Sequence, residues 1–294
     1  MKPLISPREL ADAIGVSESS IKRWVDSGVV NADKTAGGHR RIPISEAVRF
    51  LRERRLTLVN PAAIGLSDMD SLVKTDSAHD SDNSQLLYEY LREGQAEAAR
   101  GLLLSMYLGG RSVAQIVDSP LLEAMSRLGE LWHRDDCGIF WEHRATDIAI
   151  SALSRLRMVI PPRGDSAPIA VGAAPAGDPY ILPSLSAAAV LESQGVNAVN
   201  LGPDTPIHSI LLASESLKAR LVWVSISVAA EPEQLREDLS GLAEELNKVS
   251  IPIIVGGSQS NGIALPDTSL CHVGTSMGEL EAMVKGLKLA ARLN

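Results

Sequence analysis

The sequence is poor in aromatic residues, in cysteine and in long apolar runs. Aromatics make up 3% of its 294 residues, and the two cysteines, Cys137 and Cys271, are far apart. Such a pair makes neither a disulfide framework nor a metal knuckle. No apolar run approaches the roughly 20 residues needed to span a bilayer, and no signal-peptide core stands at the N-terminus. These absences predict a cytoplasmic protein that does not enter a membrane.

Charge is unevenly distributed along the chain. The first 57 residues hold eleven Lys and Arg against seven Asp and Glu, a net charge of +4, whereas the whole chain carries −8, which leaves −12 for the remainder. A basic head on an acidic body is typical of a polyanion-binding module joined to a part that does not bind polyanions. The length and the 45% of apolar residues predict two or three domains with real cores.

The basic head has the signals of two short helices and a glycine turn. The first predicted helix is capped by Ser6 and Glu9 and ends at Gly15. A second helix is predicted over 18–27, and two short helices joined at a glycine are typical of a helix-turn-helix. A glycine turn with three potential phosphate partners follows at 35–42, before a third helix.

Residues 17–24 and the motif Gly-Gly-His-Arg-Arg at 37–41 resemble the winged helix-turn-helix of MerR-type transcription regulators. This resemblance implies that residues 1–58 bind an operator in double-stranded DNA, with the second helix in the major groove and the glycine turn on the backbone. It also implies a dimer, because a helix-turn-helix reads palindromes through two protomers. The candidate DNA-binding side chains are Ser19, Lys22, Arg23, His39, Arg40 and Arg41.

The middle of the chain changes from a polar segment to a helical pattern. Residues 59–83 are largely polar and without periodicity, which predicts a flexible linker. Over 84–162, apolar residues recur with the period of a helix, and glycines divide the segment into four or five helices. We therefore predict a helical bundle cap.

Residues 163–294 alternate between short apolar runs and helical stretches, which predicts a doubly wound parallel sheet of the Rossmann-like type. Such sheets bind ligands outside the carboxyl ends of their strands. The predicted fold class of the whole chain is thus multidomain α + α/β, with a winged helix-turn-helix, a helical cap and this sheet. The predicted strands lie at 169–173, 198–202, 221–226, 251–257 and 272–274.

The corner at 131–143, between two helical runs, holds two of the four Trp and two of the six His. Trp132, nine intervening residues and then Glu142 and His143, followed by a sheet domain, resemble the cobalamin-binding module of CarH-type photoreceptors. These are MerR-family regulators with a helical cap and a Rossmann-like domain, so the resemblance spans nearly the whole chain. It implies that Trp132 lies over the upper face of a corrin, flanked by Glu142 and His143.

The sheet domain departs from this family where the lower face of the corrin would lie. Cobalamin domains of this type carry Asp-x-His-x-x-Gly after the first strand, in which the His ligates cobalt and the Asp orients it. Here Asp178 is retained, Tyr180 stands at the histidine position, and Pro183 replaces the glycine. Since tyrosine is a poor ligand for cobalt, we expect no protein histidine below the ligand.

Three possibilities follow for the ligand. The site binds another tetrapyrrole, such as biliverdin or haem; or it binds adenosylcobalamin without a lower histidine; or it is a relic that only oligomerises. His133 and His143 are candidate metal ligands, and Tyr180 could stack on a macrocycle. By resemblance, Ser225, Gly256 and Gly257 match the loops that hold the nucleotide tail in a deep slot, where glycines allow close approach. His208 is a further candidate for the lining of the pocket.

The function that these patterns favour is a DNA-binding transcription regulator, responsive to light, whose tetrapyrrole sets its oligomeric state as a dimer or tetramer. One alternative is a ligand-independent MerR-type repressor that uses a relic cobalamin domain for oligomerisation. Another is a corrinoid-dependent enzyme. The absence of a nucleophile–base pair, a phosphate loop or paired carboxylates in a cleft leads us to expect that the protein is not an enzyme.

Overall fold

The computed structural model describes residues 3–70, 80–130, 138–164, 166–260, 263 and 265–287. The chain divides into two compact units, Met1–Pro162 and Arg163–Asn294. This division coincides with the predicted start of the sheet domain at residue 163. The predicted head and bundle, by contrast, lie together in the first unit.

The head consists of three helices and a small antiparallel sheet of order β1-β3-β2. The predicted capping box is confirmed, because the Ser6 hydroxyl accepts from the Glu9 N–H at 3.2 Å and the Glu9 carboxylate accepts from the Ser6 N–H at 2.7 Å. Gly15 ends the first helix in the left-handed conformation with φ 71°. The elements are β1 (Leu4–Ile5), α1 (Pro7–Ile14), α2 (Glu18–Asp26), β2 (Asp33–Lys34), β3 (Arg40–Pro43) and α3 (Ile44–Arg54).

The segment after the head differs from the flexible linker predicted over 59–83. Its first part folds into two 3-10 helices, Pro61–Ile64 and Ser67–Met69. Ile64, at the end of the first, and Leu66, between the two, are fully buried. Helix α4 then begins at Asp80, and residues 71–79 lie outside the described residues. The polar composition does not reveal this folded structure, because few apolar residues are buried in it and one acidic residue is ion-paired rather than solvated.

That acidic residue, Asp68, joins the segment to two helices of the bundle. Its Oδ1 accepts from Arg100 Nε at 2.9 Å and its Oδ2 from Arg155 Nε at 2.8 Å, while Arg155 also donates to the Gly65 carbonyl at 2.7 Å. Burial opposes ionisation of Asp68, but the hydrogen bonds from Arg155 and Arg100 outweigh it and hold the pKa of this carboxyl below its ordinary value. The ion pairs therefore persist at neutral pH and fix the segment to the bundle.

Five described helices form the bundle, in agreement with the predicted four or five, although the first begins at residue 80 rather than 84. Helix α5 packs on α8, and α4 packs on α7. No described helix has the length and apolar character that crossing a membrane requires. The helices are α4 (Asp80–Glu93), α5 (Ala96–Leu108), α6 (Val113–Ile116), α7 (Leu122–Gly129) and α8 (Gly138–Arg157).

The second unit is a five-stranded parallel sheet with helices on both faces, so the predicted doubly wound sheet is confirmed. The strand order β5-β4-β6-β7-β8 reverses direction between β4 and β6, which places the topological switch point at the carboxyl ends of these two strands. The strands are β4 (Ile169–Ala173), β5 (Asn197–Asn200), β6 (Leu221–Ser225), β7 (Ile253–Gly256) and β8 (Cys271–Gly274). The helices are α9 (Leu182–Ser193), α10 (Ile207–Ser216), α11 (Pro232–Lys248) and α12 (Met277–Gly286).

The two faces of this sheet have different cores. Val222, Val224 and Ile226 pack with apolar residues of α10 and α11 in one buried cluster. Because side chains alternate along a strand, Trp223 and Ser225 project from the other face, against which α9 packs. One face of β6 therefore packs against α10 and α11, and the other packs against α9.

Candidate functional site

Predicted DNA-binding side chains lie together on the surface of the head. A cleft of about 250 Å³ has four of the six in its lining, namely Lys22, His39, Arg40 and Arg41. The other two, Ser19 and Arg23, are exposed on α2. The structure thus brings α2 and the β2–β3 hairpin together as the sequence led us to expect.

Two of these basic groups have acidic partners. Lys22 Nζ lies 2.8 Å from Glu18 Oε1, and Arg40 Nη2 lies 2.6 Å from Asp26 Oδ1. Exposed pairs of this kind contribute about 0–1 kcal/mol, so an incoming phosphate replaces a carboxylate at small cost. Arg41 is exposed as well. The cleft is chemically suited to an anion.

In the bundle, the first turn of α8 exposes apolar side chains next to His143. Ile139 is 53% exposed and Phe140 is 55% exposed, in a chain with only two Phe. Residues three and four apart share a helix face, so these two side chains and His143 form one exposed face. The Phe140 ring lies 4.9 Å from that of Trp141. An exposed aromatic face of this kind suits a flat apolar ligand.

The neighbouring Glu142 and His143 differ in environment. The Glu142 carboxylate is largely buried and accepts from the Thr146 hydroxyl at 3.0 Å, while the His143 side chain is 70% exposed with its Nε2 3.6 Å from Glu142 Oε2. Trp132 and His133 lie outside the described residues, so their contact with a ligand stays a prediction. Over the described residues, no group of three or more His, Cys, Asp or Glu could hold a metal ion, and His143 belongs to no such group.

In the sheet unit, Asp178 is fully buried at the switch point. One carboxylate oxygen accepts from the N–H groups of Ser227 at 2.5 Å and Val228 at 3.2 Å, and the other accepts from the Tyr180 N–H at 3.0 Å. Asp178 therefore ties the loop after β4 to the loop after β6. A contact of Asp178 with a cofactor, which resemblance implies, stays a prediction.

Tyr180 belongs to an exposed apolar rim at the carboxyl end of the sheet. Tyr180 and Ile181, after β4, are each 42% exposed, and Leu201 after β5 and Val228 after β6 are each 37% exposed. A phenol ring offers a flat stacking surface with one polar tip. The rim therefore suits contact with an apolar, planar molecule better than coordination of a metal.

The predicted tail-slot residues are close to protein backbone. Ser225 is only 5% exposed. Gly257 has φ 105°, and a Cβ on it would stand 2.3 Å from the Ile226 carbonyl oxygen. Gly256 accepts from the Ile226 N–H at 2.7 Å. Gly257 is thus required by the close approach of Ile226, while a Cβ on Gly256 would lie 3.2 Å from the Gly274 carbonyl oxygen. The contact of this pair with a ligand tail stays a prediction.

His208 is placed away from these residues. It lines a cleft of about 620 Å³ between α10 and α11, together with acidic residues that include Glu231, Asp238 and Glu245. Since α10 and α11 pack on the face opposite to Ser225, His208 and Ser225 do not share a slot. The structure therefore does not bring His208 together with Ser225, and a ligand contact of His208 stays a prediction.

The second unit has the architecture of a Rossmann-like domain that binds ligands at its switch point, and it follows a helical bundle in the chain. Residues 84–157, which run from α4 to the end of α8, match the family model of the B12 binding domain. The chain therefore carries a segment of the B12-binding type. No curated protein sequence matches the chain.

Solved structures show a similar fold at low identity. The monomethylamine corrinoid protein of Methanosarcina barkeri is 14% identical, with a TM-score of 0.53, over 71% of this chain and 100% of that chain. A methanol:cobalamin methyltransferase complex from the same organism is 14% identical over 75% of this chain and 88% of that one, with a TM-score of 0.37. A cobalamin-binding protein from Desulfitobacterium hafniense DCB-2 is 16% identical over 74% and 98%, also with a TM-score of 0.37.

The described residues do not fit a corrinoid that is held from below by a protein nitrogen. Tyr180 stands where that nitrogen would be, and the Asp178 oxygens are occupied by three backbone N–H groups. The β6–β7 junction is closed by Gly257 against Ile226. A ligand at this edge must therefore be held mainly by apolar contact.

Sequence patterns alone did not single out some residues that matter here. Ile139 and Phe140 have no role in the sequence predictions. A rare phenylalanine that does not fall in the periodic apolar pattern of a helix is nevertheless a usable signal. Trp223 was read only as part of a buried strand. Its significance depends on its partner across the sheet, Gly172, which lies 51 positions earlier in the chain.

Proposed function

We propose that this protein is a DNA-binding transcription regulator of the MerR type, whose C-terminal part binds a tetrapyrrole and thereby controls oligomerisation and operator binding. One observation carries the proposal: a segment of the B12-binding type, at 84–157, stands in the same chain as a head with a net charge of +4. A corrinoid carrier for catalysis has no need of a basic head. A regulator needs both parts.

The head supports the DNA half of the proposal by its geometry and charge. In a winged helix-turn-helix, α2 enters the major groove and the β2–β3 hairpin acts as the wing on the backbone. Arg23 on α2 and Arg41 on the hairpin are both exposed. These basic groups would neutralise phosphates and release the counterions condensed on the duplex.

Exchange of Arg23 and Arg41 for alanine is expected to weaken binding to duplex DNA and to flatten its salt dependence. Each lost phosphate contact lowers the slope of log K against log salt by about 0.9, so the double variant loses about 2. The measurement is fluorescence anisotropy on a short labelled duplex over a range of salt, which does not require the operator sequence. The single variant Arg220→Ala, with an exposed arginine in the sheet unit, is the control for net charge. Equal slopes for all three proteins would refute the DNA half.

The bundle and the sheet each support the ligand half. The first turn of α8 exposes Ile139 and Phe140 beside His143, and the carboxyl edge of the sheet exposes the apolar rim that includes Tyr180. Both are surfaces on which a macrocycle could stack. A ligand that shifts assembly must bind the two assembly states with different affinity.

The ligand half is tested by loading the full chain with hydroxocobalamin, cobinamide, haem and biliverdin, then removing free ligand by gel filtration. We expect one of these to be retained, and to change the mass of the protein between dark and light. Phe140→Ala with His143→Ala should lower retention at least tenfold, because both contacts of the exposed face are lost. Asp147→Ala, one turn further on the same helix and exposed, is the matched control. Retention of none of the four would refute this half.

The alternative is a ligand-independent repressor whose C-terminal part only oligomerises. The observation that favours it is the mismatch between Tyr180 and the nitrogen ligand of cobalamin domains. Operator binding by the unloaded protein that no tetrapyrrole alters would support this alternative. A corrinoid-dependent enzyme is the less favoured proposal, because the basic head has no role in it.

A further inference from the structure

The third residue of β6, Trp223, is the only tryptophan of the sheet unit and is 1% exposed. Its side chain lies on the face of the sheet that α9 covers, the face that also carries Ser225. Only Val224 lies between it and Ser225, one of the residues that resemblance assigns to the loops of the nucleotide-tail slot.

The indole rests on a gap in the neighbouring strand. A Cβ on Gly172 of β4 would lie 2.1 Å from Trp223 Cδ2 and 2.4 Å from its Cε2, so any larger residue at 172 would overlap the ring. Gly172 and Trp223 are register partners in adjacent strands. The cradle that this glycine opens on the α9 face is therefore filled by the protein's own bicyclic ring.

Two buried polar groups at or near Trp223 are unpaired within the described part of the chain, which is more typical of a binding slot than of a core. Trp223 Nε1 and the fully buried Ser186 hydroxyl of α9 have no hydrogen-bond partner among the described residues. Buried polar groups are normally paired in native cores. Helix α9 also carries the small buried residues Ser184, Ala187 and Ala188.

We infer that Trp223 replaces the inserted base of a cobalamin tail, so that the site accepts only tetrapyrroles without a base in the slot. Indole and benzimidazole are both fused bicyclic aromatics of similar size, and one space does not hold both. The inference rests on the proposed function, since it states which class of tetrapyrrole that site takes. Haem, bilins and cobinamide are compatible with a filled slot, and cobalamin only with its base outside.

The first test is independent of tetrapyrrole binding. Trp223→Ala should open the slot, so that millimolar 5,6-dimethylbenzimidazole raises its melting temperature while leaving the wild-type protein unchanged. Trp24→Ala, which removes a tryptophan of the head, is the matched control and should not respond. Trp223→Leu also removes the bicyclic ring but keeps part of the apolar volume, and it guards against a variant that fails to fold. Absence of a base-dependent rise in both Trp223 variants would overturn the inference.

The second test compares two corrinoids on the full chain. For Trp223→Ala, the ratio of cobalamin to cobinamide affinity should rise at least tenfold over the wild-type ratio, and bound cobalamin should change from a base-on to a base-off absorption spectrum. A ratio that Trp223→Ala leaves at the wild-type value would overturn the inference. If no protein binds either corrinoid, haem or biliverdin, the proposed function fails, while the benzimidazole result still decides whether Trp223 fills the slot.

Discussion

Exchange of Asp178 for asparagine is expected to destabilise the switch point of the sheet unit by about 3 kcal/mol. The carboxylate accepts from the N–H groups of Tyr180, Ser227 and Val228, and it is fully buried. An amide keeps one acceptor oxygen but turns an NH₂ group toward the remaining N–H donors. Each N–H donor that loses its acceptor costs about 1–3 kcal/mol where it stays unpaired.

The measurement is hydrogen exchange of peptides that cover 221–228, in the full chain. At 1.4 kcal/mol for each factor of ten, protection should fall about 100-fold. Asp204→Asn is the matched control, because Asp204 is exposed and accepts a single hydrogen bond, from the Gly177 N–H at 2.8 Å. A loss of protection no larger in the Asp178 variant than in this control would show that the two loops are held together by other contacts.

Features of the fold could be predicted where the interacting residues are close together in the sequence, and could not where they are far apart. The capping box of Ser6 and Glu9 spans three residues, and the parallel sheet follows from apolar runs of a few residues each, so both were predicted. Asp68, by contrast, pairs with Arg100 and Arg155, which are 32 and 87 positions away. A local polar pattern therefore predicted a linker where an ion-paired segment exists.

The candidate site shows the same limit. Tyr180 and Asp178 were singled out because they fall in a short motif, and the structure does place both at the switch point. The hydrogen bonds of Asp178 could not be predicted, because two of its partners, Ser227 and Val228, belong to another loop. The glycine pair was likewise read toward a ligand, since a sequence reveals that a position needs glycine but not which neighbour requires it.

A large effect of a single methyl group is expected at Gly257. Its φ is 105°, and a Cβ would stand 2.3 Å from the Ile226 carbonyl oxygen and 2.7 Å from the Ile226 nitrogen. Both are backbone atoms, which cannot rotate away as a side chain does. The Ile226 N–H also donates to Gly256, and the Ile226 carbonyl accepts from the Gln259 N–H. Gly257→Ala must therefore separate β6 from β7 at their carboxyl ends, at a cost of about 4 kcal/mol or more.

Two other glycines divide this cost into its parts. Gly202 also has a positive φ, 94°, but a Cβ there meets no atom within 4 Å, so Gly202→Ala measures conformational strain alone, about 1–2 kcal/mol. Gly241 lies inside α11 with equally open surroundings, and alanine there should stabilise the helix by about 0.5–1 kcal/mol. Urea unfolding followed by circular dichroism ranks the three variants. If Gly257→Ala lowers the free energy of unfolding no more than Gly202→Ala does, the close approach of Ile226 is not the reason that position 257 requires glycine. The space beside Gly257 would then be open to a ligand.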